Sequence, residues 1–285
     1  MPGEPIPAAM GKVAYIGFGE AGQTLSYPGA RAFDVKPDKA IDYAAAGVIG
    51  CASAGEALDG ADIVLSLVTA DQALAAARDD ASLLAPGALW LDMNSVAPDT
   101  KRDAAAEIHG AGGRYVDVAI MAPVHPARHT VPLLVAGPHA EAGAEALAAI
   151  GFTDVRIVSN KIGAASSIKM IRSVMIKGLE ALSAECALAA YAAGVEDEVI
   201  ASLDAGWNEQ GWGDRFDYNL DRMLVHGTRR AAEMEEVVKT LTSLGTGTAM
   251  ARATIERQRQ LGAVARAPTG LGAKIDLILG RKAAA

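Results

Sequence analysis

A short apolar run, Val13-Ala14-Tyr15-Ile16, leads directly into Gly17-Phe18-Gly19-Glu20-Ala21-Gly22. No other stretch restricts the fold of this chain so tightly. The run has the length of a buried strand. The three glycines that follow suit a strand–turn–helix in distinct ways. The first permits a tight turn, the second lets the backbone approach a pyrophosphate, and the third lets the helix pack against the strand. Amide groups at the helix start then face the negative phosphates. A bare match to this spacing is weak, so its neighbours decide.

Those neighbours alternate. Ala32-Phe33, the run 63–68, Leu89–Met93, Tyr115–Val118, Leu133–Val135 and Val155–Val158 read as strands. Helical patterns lie between them, at about 71–84, 98–109 and 140–150. This alternation predicts βαβ units and a doubly wound, mostly parallel sheet. Continuous apolar strands predict a sheet covered on both faces. The pattern changes near Asn160. From Gly163 to about Ala193, Ile168, Ile171, Met175, Leu179, Leu182, Cys186 and Ala189 recur at steps of three or four. That is one apolar stripe on a helix of about 45 Å. Further helices are expected around 197–205, 214–225, 228–244 and 249–261, with Gly245 and Gly262 as C-terminal stops. The expected organisation is an α/β Rossmann domain over residues 1–160, then an all-α domain over 161–285.

In that setting the glycine motif predicts a nicotinamide dinucleotide. Gly17, Phe18, Gly19, Glu20, Ala21 and Gly22 form the candidate phosphate loop. Asp34, at the end of the second strand, is placed to accept hydrogen bonds from ribose hydroxyls, which favours NAD over NADP. It comes earlier than the usual spacing of about 20 residues, so the first helix must be short. Lys36 and Lys39 follow closely and offer an alternative, a seat for a 2′-phosphate. Val68 and Thr69 end the strongest strand, where the loop passes over the cofactor; Thr69 or Asp71 also suits a helix cap. Asn94 and Ser95 fall at the carboxyl edge of the sheet, where open α/β folds bind ligands. They are candidates for nicotinamide or substrate contacts, or for capping the helix at Pro98.

Several classes are excluded. A net charge of −8 over 285 residues argues against nucleic acid as a partner. Two cysteines, Cys51 and Cys186, make no disulfide framework. His125 and His129 are four apart, but Pro123, Pro126 and Pro132 oppose the helix a metal pair needs, so no metal site is expected. The segment before Lys12, with Pro2, Pro5 and Pro7, lacks the basic start of a secretory signal. No apolar run approaches the roughly 20 residues of a membrane span. The expectation is a cytoplasmic protein.

Four places resemble the β-hydroxyacid dehydrogenases, the group of 3-hydroxyisobutyrate and 6-phosphogluconate dehydrogenases. They are Gly17–Gly22, Asp92-Met93-Asn94-Ser95, Val116-Asp117-Val118-Ala119, and Gly163 to Lys169. The branch is one with a short C-terminal domain. The resemblance implies hydride transfer between NAD or NADP and a β-hydroxyacid or related secondary alcohol, with Lys169 as general acid/base. It implies a small-molecule substrate, an anion being one option, and a homodimer. The family has asparagine one turn after its lysine, where Arg172 and Ser173 stand here. It has serine-glycine-glycine where this chain has Met121-Ala122-Pro123, then Val124-His125-Pro126. Those departures fall in the substrate pocket and leave the substrate open. His125, Arg172 and Ser173 join Asn94 and Ser95 as candidate substrate contacts. Arg172 and Ser173 follow Lys169 at i+3 and i+4, on one helix face. A cationic neighbour and partial burial lower a lysine pKa toward working pH. Lys169 and Arg172 alternatively form a solvated face. Lys177 and Arg230 are weaker candidates, Arg230 with Glu233 being the usual pattern of a helix salt bridge. Two other functions remain open: an imine reductase-like enzyme and a non-catalytic dinucleotide-binding protein.

Overall fold

The apolar runs of the first half become strands. β1 (Val13–Ile16), β4 (Ile63–Ser66) and β5 (Leu89–Asp92) are buried at every residue. β2 (Arg31–Phe33) and β3 (Ile49–Gly50) lie on one side of them. β6 (Arg114–Ile120), β7 (Leu133–Ala136) and β8 (Val155–Ser159) lie on the other. The computed structural model describes residues 11–206, 211–245 and 247–281; Pro2, Pro5 and Pro7 lie outside the described residues. The sheet order is β3-β2-β1-β4-β5-β6-β7-β8. Every neighbouring pair is parallel except β6 and β7. Chain order reverses between β1 and β4, the switch point at which open α/β sheets bind ligands.

Successive side chains leave opposite faces of the sheet, and two cores follow. Val13, Tyr15, Leu65, Leu91, Val116 and Val118 point into one. Ala14, Ile16, Val64, Trp90 and Tyr115 point into the other. The flanking helices are α1 (Glu20–Thr24), α2 (Ala40–Ala46), α3 (Ala54–Leu58), α4 (Ala73–Asp80), α5 (Pro98–Gly110) and α6 (Ala140–Ile150). α1 is five residues long, which accounts for the early position of Asp34.

The second half is helical: α7 (Ala164–Ala193), α8 (Glu196–Gly206), α9 (Trp212–Leu244), α10 (Ala249–Gly262) and α11 (Leu271–Ile278). The chain divides into compact units 1–170 and 171–285. The start of α7 thus belongs with the sheet, where Ala165 packs with Ala119, Leu134 and Ala136. Two helices expected at 214–225 and 228–244 are one, α9, of 33 residues. Gly227 does not break it, because a Cβ there would meet Gln258 O at 2.3 Å and Gly262 Cα at 2.8 Å. Gly262 is the last residue of α10, one residue beyond the expected end at 261, and both glycines serve a close helix crossing. Gly245 does terminate α9, in the left-handed conformation. α11 carries no clear signal in the sequence.

The buried line of α7 is Ser166, Met170, Ser173, Lys177, Glu180, Ala184 and Ala187. These recur at steps of four and three and are mostly small or charged. In the helical unit the charges are paired: Lys177 Nζ lies 2.8 Å from Glu233 Oε2, and Arg230 forks onto Glu180 through Nε at 3.0 Å and Nη2. Gln258 donates to the same Glu180 carboxylate at 2.9 Å. Buried charges persist only when partnered in this way.

Candidate functional site

The glycine loop joins β1 to α1. Gly17 has φ +88°, and a Cβ on it would meet Leu67 O at 2.6 Å. A Cβ on Gly22 would meet Gly17 O at 2.8 Å. Both glycines are therefore demanded by the fold itself. Gly19 is different, because a Cβ there would have nothing within 4 Å. The packing of the fold does not require a glycine there, and the space beside its backbone leaves room for a ligand. Glu20 and Ala21 open α1, whose first amides have no intrahelical acceptors. The loop therefore fits the pyrophosphate of a dinucleotide.

Asp34 follows β2 and is fixed beside this loop. Its Oδ2 accepts from Phe18 N–H at 2.7 Å and its Oδ1 from Lys36 N–H at 2.9 Å. Each oxygen retains lone pairs for a further donor. Lys39 is engaged elsewhere, 2.8 Å from Asp42 Oδ2, while Lys36 is exposed. Val68 is half-buried and Thr69 exposed beyond the end of β4. Thr69 precedes a short 3-10 turn, and its side chain makes no cap hydrogen bond. Hydrogen bonds from Thr69 and Gln72 hold the Asp71 carboxyl below the usual range.

At the ends of β5 and β6 lies a buried polar cluster. The register sets Asp92 directly opposite Asp117. Asn94 is buried, and its Nδ2 donates to Ser66 Oγ at 3.0 Å and Asp92 Oδ1 at 2.8 Å. Those acceptors fix the amide orientation, and Asn94 Oδ1 is left as a buried acceptor without a protein partner. Asn94 is thus held by the sheet and does not cap α5. Ser95 beside it is half-buried. Asp92 Oδ2 accepts from Tyr115 OH at 2.6 Å. Lys101, fully buried, donates to Asp92 O at 2.6 Å and Asp92 Oδ1 at 3.0 Å and lies 3.5 Å from Asp117 Oδ1. Burial pushes the Asp117 carboxyl up, and Lys101 opposes that shift. Asp117 Oδ2 accepts from the N–H groups of Gly163 (3.0 Å) and Ser166 (3.2 Å) at the start of α7.

Sequence reading missed Lys101. The signal was available: Pro98, Lys101, Ala104, Ala105 and Ile108 form one buried face of α5, and a lysine within an apolar stripe needs a buried partner. Asp117 was marked, but not its task of capping α7.

Lys169 lies three residues after Ser166, within one helical turn, and is half-buried. Arg172 is exposed. Ser173 is buried, and its Oγ accepts from Lys177 Nζ at 3.4 Å, so this hydroxyl is engaged inside the helical unit. Arg230 is likewise committed to Glu180. His125 stands in the loop after β6 and reaches α1: Thr24 Oγ1 donates to Glu20 O and lies 2.7 Å from His125 Nε2, which therefore donates to it. His129 packs on Phe152 rather than pairing with His125. Among the described residues, no group of His, Cys, Asp or Glu is arranged to hold a metal ion. No described helix is long and apolar enough to cross a membrane.

Residues 8–154 match the family described as the NAD binding domain of 6-phosphogluconate dehydrogenase. The chain belongs to the β-hydroxyacid dehydrogenase family. Residues 190–261 match a domain of unknown function, DUF1932, so the C-terminal region marks a distinct branch. A conserved hypothetical protein of Sinorhizobium meliloti is 35% identical, with a TM-score of 0.72 over 97% of this chain and 98% of that one. An uncharacterised 28.5 kDa protein of Methanothermus fervidus is 27% identical, over 81% of this chain and 91% of its own length. The 3-hydroxyisobutyrate dehydrogenase of Mycobacterium tuberculosis is 18% identical, with a TM-score of 0.74 over 93% of this chain and 98% of that one. That last likeness is one of fold. This member of the family therefore has a domain for a nicotinamide dinucleotide and a hydroxyacid dehydrogenase-like architecture.

Proposed function

We propose that the protein is an NAD-dependent dehydrogenase of a β-hydroxyacid or related secondary alcohol. The observation that carries this reading is Gly19: the fold does not require a glycine there, and the open space above it suits a pyrophosphate. Asp34, beside the loop, accepts the ribose hydroxyls. Its fixed negative charge disfavours a 2′-phosphate, and the pairing of Lys39 with Asp42 removes one cation that would attract it. Val68 and Thr69 border the cofactor along the carboxyl edge. Asn94 Oδ1, a buried acceptor, takes a donor from the nicotinamide amide or the substrate, with Ser95 next to it.

A nicotinamide dinucleotide held by the glycine loop and Asp34 would supply the hydride chemistry. Lys169 takes the proton from the substrate hydroxyl during oxidation and returns it to the carbonyl during reduction. His125 and Arg172 are the remaining candidates for substrate recognition, Arg172 suiting a carboxylate. Ser173, whose hydroxyl accepts from Lys177 Nζ at 3.4 Å and keeps its own proton to donate, is a further candidate. The working assembly is a homodimer.

Fluorescence titration with NADH and NADPH is the first test. NADH is expected to bind at least about tenfold more tightly, since like charges in contact are strongly unfavourable. Equal or tighter NADPH binding would reverse the assignment of Asp34. A screen of hydroxyacids and alcohols with the preferred cofactor then identifies the substrate. Lys169→Ala should lower turnover about 100-fold with cofactor affinity unchanged; an unaltered rate would remove Lys169 from the chemistry. Reduction of cyclic imines without alcohol oxidation would replace the dehydrogenase reading.

A further inference from the structure

Lys101 is fully buried, although the acid/base role above makes no use of it. It lies on α5, one turn after Pro98, and its ammonium ends between two strands. There it donates to the backbone oxygens of Asp92 (2.6 Å) and Val118 (3.4 Å) and faces the carboxylates of Asp92 and Asp117. Two buried carboxylates on adjacent strands repel each other unless a cation lies between them. Lys101 is that cation.

The two carboxylates lead in opposite directions. Asp92 Oδ1 accepts from both Asn94 N–H (2.9 Å) and Asn94 Nδ2 (2.8 Å), so it sets where the unpartnered Asn94 Oδ1 points. Asp117 Oδ2 holds the first amides of α7, Gly163 and Ser166. Gly163 is confined as well. Its φ is +93°, and a Cβ there would meet Arg102 Nη1 at 2.6 Å and Pro98 Cβ at 3.0 Å. The start of α7 is thereby seated on α5, and Lys169 stands within one turn of it.

We infer that Lys101 is a positioning residue that sets two functional groups together, Asn94 at the sheet edge and Lys169 on α7, by joining Asp92 to Asp117. Fully buried, it acts through Asp92 and Asp117. The roles of Asn94 and Lys169 rest on the proposed function; the coupling of the two segments through Lys101 does not.

The test uses the full-length protein and three chains: wild type, Lys101→Met, and Lys101→Met combined with Asp117→Asn. Methionine keeps most of the side-chain volume and removes the charge. Asparagine keeps an acceptor for the α7 amides and removes one of the carboxylates that Lys101 offsets. Hydrogen exchange is followed by mass spectrometry, and NADH affinity by fluorescence. In Lys101→Met, amides of 93–97 and of 163–168 are expected to exchange at least about tenfold faster, hydrogen bonds to charged groups being worth that much. Those of β1 and β4 stay protected, and NADH binds at least about tenfold more weakly. The double variant recovers most of the protection at 163–168.

A residue that only fills space predicts otherwise: uniform loss across the sheet, and a further loss in the double variant. Either result overturns the inference, as does wild-type protection in both segments of Lys101→Met. If Lys101→Met does not fold, folding of the double variant supports charge compensation, and failure of both overturns it. If wild type binds neither NADH nor NADPH, the proposed function fails, and exchange at 93–97 and 163–168 still decides the role of Lys101.

Discussion

Gly17 and Gly19 are two residues apart and answer to different demands. Gly17 is held by its own fold, through a positive φ and the Leu67 carbonyl; Gly19 has free space above it. Gly19→Val should therefore fold with a melting temperature close to wild type but lose NADH affinity by more than about tenfold, as a side chain displaces the pyrophosphate. Gly17→Ala should lower the melting temperature instead. Calorimetry and fluorescence titration on both variants separate the two roles, and a Gly19→Val protein with wild-type affinity would remove the phosphate assignment. Asp80 makes a pH prediction. It is buried at the end of α4, and burial pushes its carboxyl up to about 6, with Asp79 adding to the shift. The folded chain then binds more protons at this site than the unfolded one, so stability from it declines as pH rises from about 4 to about 6. Asp80→Asn should raise the melting temperature at pH 7.5 by about 3 °C and leave it unchanged near pH 4. A pH-independent difference would contradict this cause. At the residue scale, what the sequence shows plainly is a pattern contained in one short stretch, such as the glycine loop. The Asp92–Lys101–Asp117 joint is harder to read, because its members meet only through strand register and a helix face.

At the scale of elements, the strands of the first half are legible because two-sided burial demands continuous apolar runs. The split assigned to α9 is instructive. Gly227 falls in the gap between the two expected helices, and it weakens a helix taken alone by about 1 kcal/mol relative to alanine. In the structure its bare backbone meets Gly262 of α10, and the close crossing keeps the helix whole. Tertiary packing overrides local propensity there, and one sequence contains no sign of which glycines pair. Gly227→Ala consequently should not stabilise α9. It forces a methyl group against Gln258 O and should destabilise the protein by about 1–3 kcal/mol, read as a lower melting temperature or urea midpoint. A neutral or stabilising outcome would mean that the crossing tolerates more space than the contact implies.

At the scale of the whole molecule, α7 poses a problem of sidedness. Its buried line carries Ser173, Lys177 and Glu180, whereas Ile168, Ile171, Met175 and Leu182 are 41%, 49%, 66% and 53% exposed. Those four are spaced by three, four and seven residues, so they form one face. Large apolar side chains in such a row mark a surface that is covered in the working assembly. A second copy of the chain is the simplest cover, because a two-fold axis lets the same stripe meet itself. A stable interface of this kind needs about 800 Å² from each partner, and a helix of about 45 Å offers a row long enough to nucleate it. Light scattering at micromolar concentration should then give twice the 29.2 kDa of one chain. Met175→Glu with Leu182→Glu places two like charges on each side of the proposed contact and should return the mass to that of one chain, with helical content retained by circular dichroism. A wild-type protein that is already monomeric would leave the stripe to another partner, and a charged variant that remains a dimer would move the interface away from α7.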